Sequence, residues 1–277
     1  MRIGLLTYDT PLATKVIHRL LLELGEQVVG VLEGTVILPG KSDWASTWFL
    51  LSRSSRRPMT IRKATELLVG RTIELSAKVT HRRTNTARLA KLASQFSVPL
   101  VRTADINEPH VQVALAQWDP DLLVSVSMNQ RIGPGLIALP PRGVINVHGA
   151  RLPRNRGLFP YFWALANGDQ TTGSTVHWVD TGLDTGPILL QRELAIRPDH
   201  TAISLAVETA DLGTELVIEA IRLIEKDRAP RKPQDPDQAS YYSWPSPDDF
   251  RRLHNRGRRY GSIADMWRAL SWSRLTC

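Results

Sequence analysis

Residues 2–32, RIGLLTYDTPLATKVIHRLLLELGEQVVGVL, decide the fold expected for this chain. The segment from 2 to 8 is short and apolar, as in a buried strand, and the apolar residues from 12 to 24 recur at helical spacing until Gly25 ends the helix. Residues 27–32 form a second apolar segment of strand length. A strand, a helix and a strand in this order predict a parallel sheet.

The same alternation continues through the rest of the chain. Further strands are expected at 98–101, 119–127, 142–148, 174–180 and 187–197, and helices at 86–97, 108–117 and 201–226. The turn after the first strand, ThrTyrAspThrProLeu, lacks the GxGxxG fingerprint, which argues against NAD or FAD. The expected fold class is therefore α/β, a Rossmann-like and mostly parallel sheet flanked by helices.

Composition divides the chain into two parts. Residues 1–228 carry the alternating strands and helices and form one expected domain, with a basic helical insertion at about 41–85. Residues 229–277 are rich in Pro, Arg and Trp, and the part from 229 to 247 has the composition of a linker or an extended tail. A short basic helix is expected in the last 30 residues.

Cysteine usage and hydropathy limit the kinds of site and the cellular location expected for this chain. The only cysteine among the 277 residues is Cys277, which excludes a disulfide within the chain and a cysteine metal site. The histidines show no metal-ligand spacing, so no metal is expected. The N-terminus starts directly with a strand, and no apolar segment reaches the roughly 18 residues of a membrane span. These features predict a cytoplasmic protein without membrane contact.

Positive charge is concentrated in two segments. The formal net charge is +8, yet residues 51–100 alone hold 11 Lys and Arg against 2 Asp and Glu, and residues 251–277 hold 7 against 1. Such segments suit anionic partners, among them nucleotide phosphates, tRNA or acidic lipids. A solvated helical surface explains them equally well.

Three polar residues stand out at predicted strand ends and turns. Asn146 and His148 are two apart on the expected strand 142–148, so their side chains share a face at its carboxyl end, where open parallel sheets bind ligands. Asp184 lies between glycines, which allow close backbone approach. Taken singly, each residue has an ordinary role as a cap, a packed histidine or a turn residue. Together, an amide, an imidazole and a carboxylate can run an acyl transfer without a side-chain nucleophile.

These residues belong to a longer pattern that resembles the folate-dependent formyltransferases. That family includes glycinamide ribonucleotide formyltransferase, methionyl-tRNA formyltransferase and the sugar N-formyltransferases. The similarity covers about residues 1–205, is strongest over 119–190 and is weakest over 35–85. Its pieces are Asn146-Val-His148, Leu152-Pro153, Arg156-Gly157 and Gly182-Leu183-Asp184-Thr185-Gly186.

The resemblance implies transfer of a formyl group from 10-formyltetrahydrofolate to an uncharged amine through a tetrahedral intermediate. Asn146 would donate a hydrogen bond to the developing oxyanion, a contribution of about 10²–10³ in rate. His148 would stand beside that oxygen as a donor or proton relay. Asp184 would orient His148 and hold a water that carries the amine proton away, worth roughly 10²–10⁴.

The resemblance also assigns binding residues. The pterin would be held mainly by backbone groups of a loop and of the turn 180–184; the matching positions are Asn129, Gln130, Arg131, Ile132, Asp180 and Gly182. Arg154 and Arg156 are expected to bind an anionic group of the acceptor. His177 matches a histidine of some family members and has either a substrate-binding role or a packing role.

The acceptor amine is less well defined. The segment LeuProArgAsnArgGlyLeuPheProTyrPheTrpAlaLeu is closer to the sugar N-formyltransferases than to the tRNA enzymes, and it favours a small-molecule amine such as an amino sugar nucleotide. The tRNA enzymes carry a C-terminal β-barrel, for which the residues after about 226 are too few, so tRNA is disfavoured. A formyltetrahydrofolate hydrolase and a catalytically inactive folate-binding protein are weaker alternatives. The resemblance is compatible with a homodimer.

Overall fold

The computed structural model describes residues 1–34, 89–262 and 264–265, and the helical insertion expected at about 41–85 lies outside these ranges. The described strands are β1 (Ile3–Tyr8), β2 (Val28–Gly34), β3 (Leu100–Thr103), β4 (Leu122–Val126), β5 (Val144–His148), β6 (Arg156–Gly157), β7 (Thr171–Trp178), β8 (Ile188–Ala195) and β9 (Tyr241–Tyr242). The described α-helices are α1 (Pro11–Leu24), α2 (Leu89–Gln95), α3 (Pro109–Ala116), α4 (Pro134–Ala138), α5 (Pro160–Asn167), α6 (Ala202–Glu225) and α7 (Pro247–Asn255). Short 3₁₀ helices occupy Gly25–Gln27 and Pro236–Gln238.

The main sheet confirms the expected α/β class. In the described part of the chain it has seven strands in the order β3-β2-β1-β4-β5-β7-β8. The first five strands along the chain run parallel, whereas β7 is antiparallel to β5 and β8 is antiparallel to β7. The sheet is therefore mostly parallel, with an antiparallel pair beside β5.

Helices cover both faces of this sheet, because alternate strand residues point to opposite sides. Ile3, Leu5 and Val31 face a core that includes residues of α1 and α6. Leu6 and Leu32 point the other way, into a second cluster with residues of α3 and α4. Strands buried on both faces are near-continuous apolar segments, which is why they are recognisable in the sequence.

His18, on α1, makes the stability of this core depend on pH. The residue is 8% exposed, and its ring meets the ring of Phe96 edge-on at 5.7 Å. Burial lowers the pKa of His18 from 6.5 to about 4. The unfolded chain therefore binds the extra proton between these two values and the folded chain does not, so acid within that window favours unfolding.

We expect His18→Phe to remove this pH dependence. As the pH falls from about 7 to about 4, the free energy of unfolding of the wild type should drop by up to about 3 kcal/mol more than that of the variant. Urea unfolding at a series of pH values measures both curves. Parallel curves would show that His18 does not cause the acid sensitivity.

The C-terminal segment 229–262 packs on the core, although its composition resembles that of a linker. β9 pairs in parallel with β6. The ring of Tyr242 stacks on Trp163 of α5 at 4.5 Å and 17°, and Trp163 Nε1 donates to the carbonyl of Ser243 at 3.1 Å. Through these contacts the segment lies against α5 and against β6, which follows β5 in the chain.

Candidate active site

The antiparallel pairing of β5 and β7 builds the centre of the site. Asn146 and His148 lie on β5, and the register places Asn146 opposite His177 on β7. The turn between β7 and β8 then carries Asp184 to the same place. The three residues expected to act together are thus adjacent, and His177 joins them as a fourth member.

Three short distances define the cluster. Asn146 Nδ2 lies 3.1 Å from His177 Nε2. The two carboxylate oxygens of Asp184 each face one imidazole, Oδ1 at 3.6 Å from His177 Nε2 and Oδ2 at 3.6 Å from His148 Nδ1. A distance of 3.6 Å is longer than a direct hydrogen bond, so each carboxylate oxygen faces an imidazole nitrogen without a direct hydrogen bond to it.

The neighbours of His177 fix the orientation of the Asn146 amide. Nδ1 of His177 lies 2.8 Å from the carbonyl oxygen of Trp178, to which it donates. In the neutral tautomer Nε2 is then an acceptor, so Asn146 Nδ2 donates to it. An amide nitrogen has two hydrogens, and the second remains for another acceptor.

Both nitrogens of His148 face oxygen atoms. Nε2 lies 2.8 Å from the carbonyl oxygen of Asn155, and Nδ1 faces Asp184. Only the doubly protonated imidazolium can donate in both directions at once. The side chain is 7% exposed, so the ring is held with little access to water.

Asp184 is an ionised carboxylate in this setting. Burial alone would raise its pKa, but the two imidazoles that face it, His148 and His177, and the amide of Gly157 together hold the pKa of Asp184 well below its usual range. The Gly157 amide donates to Asp184 Oδ2 at 2.8 Å. A carboxyl group that stays charged at neutral pH can orient the neighbouring imidazoles, but it cannot act as the proton donor.

The turn that carries Asp184 is held by its own side chains. Asp180 Oδ1 accepts from the amide of Gly182 at 2.9 Å and from the hydroxyl of Thr185 at 2.7 Å. Asp184 itself has φ of 53°, in the left-handed region. Gly157 has φ of 93°, and a Cβ there would clash with the carbonyl oxygen of Tyr242. Glycine at 157 therefore lets its amide reach Asp184.

The two segments expected to hold the pterin meet at one cavity of about 380 Å³. It is lined by Asn107, Arg131, Ile132, Gly133, Pro134 and Thr181. Asn129 is half-buried in the same loop. The side chain of Gln130 points inward, where Oε1 accepts from the Ile106 amide at 3.1 Å and Nε2 donates to the Ala104 carbonyl at 2.9 Å. Gln130 thus shapes the loop through its side chain.

The arginines expected to bind the acceptor have partners of their own. Arg154 is 64% exposed and lies 3.4 Å from Asp169, so its guanidinium is accessible to solvent. Arg156 donates from Nε and Nη2 to Gln234 Oε1 at 3.2 and 2.7 Å. The C-terminal segment brings Gln234 against Arg156, and the anion-binding role expected for Arg156 stays a prediction.

His177 is enclosed, and the substrate-binding role expected for it stays a prediction. Its side chain is 3% exposed, and its ring nitrogens face Trp178, Asn146 and Asp184. A ring enclosed in this way positions its neighbours and has little surface for a substrate. The strand register that creates this contact has no signature in the sequence.

Asn155, Gln234 and Ser240 were not identified from the sequence. Asn155 has φ of 58°, and its carbonyl receives the His148 contact. The amide of Asn155 donates to Ser240 Oγ at 2.9 Å. An asparagine next to a glycine-containing segment weakly indicates left-handed backbone, so Asn155 could have been suspected. Nothing in the local sequence indicates that Gln234 or Ser240 lies at the site.

Neither a metal site nor a membrane span is found in the described residues. In the ranges 1–34, 89–262 and 264–265, no three or more His, Cys, Asp or Glu side chains are grouped so as to hold a metal ion. In the same ranges, every helix is too short or too polar to cross a membrane.

A comparison with protein families matches residues 71–221, just over half of the chain, to the model described as Formyl transferase. Methionyl-tRNA formyltransferase of Syntrophus aciditrophicus (strain SB) is 38% identical over 149 residues, which are 54% of this chain and 48% of that protein. The enzyme of the same name from Anaeromyxobacter sp. (strain K) is 39% identical over 173 residues, or 59% and 55%. The chain spans about half the length of these curated relatives.

Solved structures share the fold at lower identity. The N-formyltransferase of Helicobacter canadensis, in complex with folinic acid and dTDP-3-aminofucose, gives a TM-score of 0.60 at 17% identity and covers 94% of this chain and 81% of that one. Phosphoribosylglycinamide formyltransferase of Anaplasma phagocytophilum gives 0.59 at 16% identity, over 88% and 98%. These similarities establish the architecture.

Proposed function

Because the chain belongs to the formyl transferase family, we propose that it moves a formyl group from 10-formyltetrahydrofolate to a primary amine. The observation that carries this proposal is the cluster of Asn146, His148, His177 and Asp184. The cluster has hydrogen-bond donors and an ionised carboxylate but no Ser or Cys nucleophile among its members. Direct attack by the amine on the formyl carbon suits this set of groups.

Asn146 supplies the donor for the developing oxyanion in this proposal. One of its N–H groups is bound to His177, which holds the amide in place, and the other is available to the formyl oxygen. A donor fixed before the reaction stabilises the transition state without reorganisation, typically by about 10²–10³ in rate. His177 acts through Asn146 and Asp184 and so is a positioning residue.

His148 and Asp184 are proposed to carry out the proton transfers of the reaction. As the new C–N bond forms, the amine nitrogen must lose a proton, and the folate N10 must gain one when its bond to the formyl carbon breaks. His148 Nε2 is engaged with the Asn155 carbonyl, so Nδ1, 3.6 Å from Asp184, is the atom proposed to donate to the oxyanion or to relay this proton. The ionised Asp184 faces the His148 ring and orients it.

The cavity beside Arg131, Ile132 and Thr181 is the proposed pterin site. Its volume of about 380 Å³ falls within the usual range for small-ligand pockets. The two backbone segments that meet there carry donors and acceptors for a flat heterocycle. The folinic acid in the Helicobacter canadensis structure supports a folate as the donor.

A small-molecule amine with an anionic group, such as an amino sugar nucleotide, is the proposed acceptor. The guanidinium of Arg154 is accessible to solvent, and Arg154 directly precedes Asn155, whose carbonyl contacts His148. Arg154 is therefore the proposed contact for the anionic group of the acceptor. The fold similarity to the Helicobacter canadensis enzyme extends over 94% of this chain and therefore into the C-terminal segment. The cytoplasmic location and the homodimer stay predictions.

Aminoacyl-tRNA is a second candidate acceptor, and sequence similarity favours it. The curated relatives described above are methionyl-tRNA formyltransferases, at 38% and 39% identity. The basic segments 51–100 and 251–277 would also suit a polyanion.

An acceptor panel separates the two candidates. The protein is incubated with 10-formyltetrahydrofolate and, separately, with dTDP- and UDP-linked amino sugars, methionyl-tRNA, free amino acids and peptides, and each acceptor is examined by mass spectrometry for added formyl. Formylation of a nucleotide-linked amino sugar alone would support the first candidate. Formylation of methionyl-tRNA alone would replace it with the second.

A further inference from the structure

The C-terminal segment contributes one side chain that contacts the turn holding Asp184. Resting on the proposed function, we propose that Gln234 is a positioning residue that fixes the backbone of Asp184 and so sets its carboxylate between the two imidazoles. Gln234 lies outside residues 71–221, the part that matches the family. Residues 71–221 alone would therefore lack a residue that supports the candidate active site.

Gln234 uses both ends of its amide. Nε2 donates to the carbonyl oxygens of Asp184 at 2.9 Å and Gly186 at 2.7 Å. Oε1 accepts from Nε and Nη2 of Arg156 at 3.2 and 2.7 Å. A neutral amide is the side-chain group that donates two hydrogens on one side while accepting on the other.

These contacts close a ring of interactions around the carboxylate. Gln234 holds the carbonyl of Asp184 and the guanidinium of Arg156. Arg156 is followed by Gly157, whose amide donates to Asp184 Oδ2. Gln234 thus ties together the two pieces of chain that meet at this carboxylate.

Asp184 needs such external support because of its backbone. Its φ of 53° is uncommon for a residue with a side chain, and such conformations persist where surrounding contacts hold them. Each carboxylate oxygen is 3.6 Å from an imidazole nitrogen, so a small displacement of the turn alters both contacts together. Misplacement of about 1 Å at a reacting site can cost as much as 10²-fold in rate.

A simpler role for Gln234 is to dock the C-terminal segment through Arg156. The substitution Gln234→Glu distinguishes the two roles because it keeps the size and shape of the side chain. The carboxylate strengthens the contact with Arg156, but it removes both donors and places a negative oxygen against two carbonyls. Docking is preserved in this variant, and the hold on Asp184 is lost.

The matched control is Gln238→Glu, in the same segment. Gln238 is exposed, and its Nε2 donates to Asp235 Oδ2 at 2.7 Å, away from the cluster. Gln234→Met serves as a second variant if Gln234→Glu does not fold, because it has a similar length, no charge and no donors.

Two readouts are measured on the full chain. The first is hydrogen exchange of the Gly157 amide, which reports directly on its bond to Asp184 and needs no reaction. The second is kcat and KM for formation of tetrahydrofolate from 10-formyltetrahydrofolate, with the fastest acceptor of the panel. For Gln234→Glu we expect at least about tenfold faster exchange at Gly157 and a kcat about 10- to 100-fold lower, with KM nearly unchanged. The control should match the wild type in both.

A double-mutant cycle adds a readout that a purely structural role would not affect. If Gln234 acts through Asp184, then Gln234→Glu should cause little further loss of kcat in an Asp184→Asn background. Wild-type exchange at Gly157 together with wild-type kcat in Gln234→Glu would overturn the proposal. A third outcome separates the two proposals. If exchange at Gly157 is faster in Gln234→Glu but the wild type forms no tetrahydrofolate, the positioning role is supported and the proposed function is refuted.

Discussion

Asp184→Asn is expected to lower kcat by about 10²–10⁴-fold while the protein stays folded. The substitution keeps the shape of the side chain, and its amide oxygen can still accept from the Gly157 amide. It removes the charge that faces His148 Nδ1 and His177 Nε2 at 3.6 Å. The carboxylate that faces the His148 ring is then lost, so the group that donates or relays the proton is no longer oriented for that step.

Single-turnover rates with 10-formyltetrahydrofolate, measured beside urea unfolding, test this expectation. Asp211→Asn is a suitable control, since Asp211 pairs with Lys15 and is 42% exposed on α6, away from the cluster. The control should keep wild-type turnover. Full activity of Asp184→Asn would remove this carboxylate from the mechanism.

Asn146→Ala is expected to lower kcat by about 10²–10³-fold, with KM for 10-formyltetrahydrofolate nearly unchanged. The lost N–H is proposed to act on charge that develops only in the transition state, so its removal affects kcat and not ground-state binding. The partner left behind is His177 Nε2, which loses its donor at 3.1 Å.

Steady-state kinetics over a range of donor and acceptor concentrations separate kcat from KM. Asn255→Ala, at the exposed end of α7, provides the control. A rise in KM with kcat preserved would show that Asn146 binds the substrate and does not stabilise the oxyanion.

The alternation of strands and helices was predictable because each element is buried along a regular period. β1, β2 and β4 are nearly continuous apolar segments, and α1 and α6 show helical spacing. The antiparallel direction of β7 and β8 was not predictable, since a strand has the same side-chain period in either direction.

The residues of the candidate site also fall into a group that could be predicted from the sequence and a group that could not. The spacing of Asn146 and His148 placed them on one face of a strand, and the glycines around Asp184 marked its turn. The place of His177 depends on the register between β5 and β7. Gln234 is 50 residues from Asp184 in the chain, and the segment that carries it also packs on the core through Tyr242 and Trp163. Contacts of this kind depend on tertiary packing and leave no local pattern.

Release of tetrahydrofolate from 10-formyltetrahydrofolate, with and without the amine panel, tests the central claim most directly. We expect release that depends on one class of amine, with formyl appearing on that amine in equal amount. Equal release without any amine would identify a hydrolase instead. The absence of release with every amine would contradict formyl transfer by this chain.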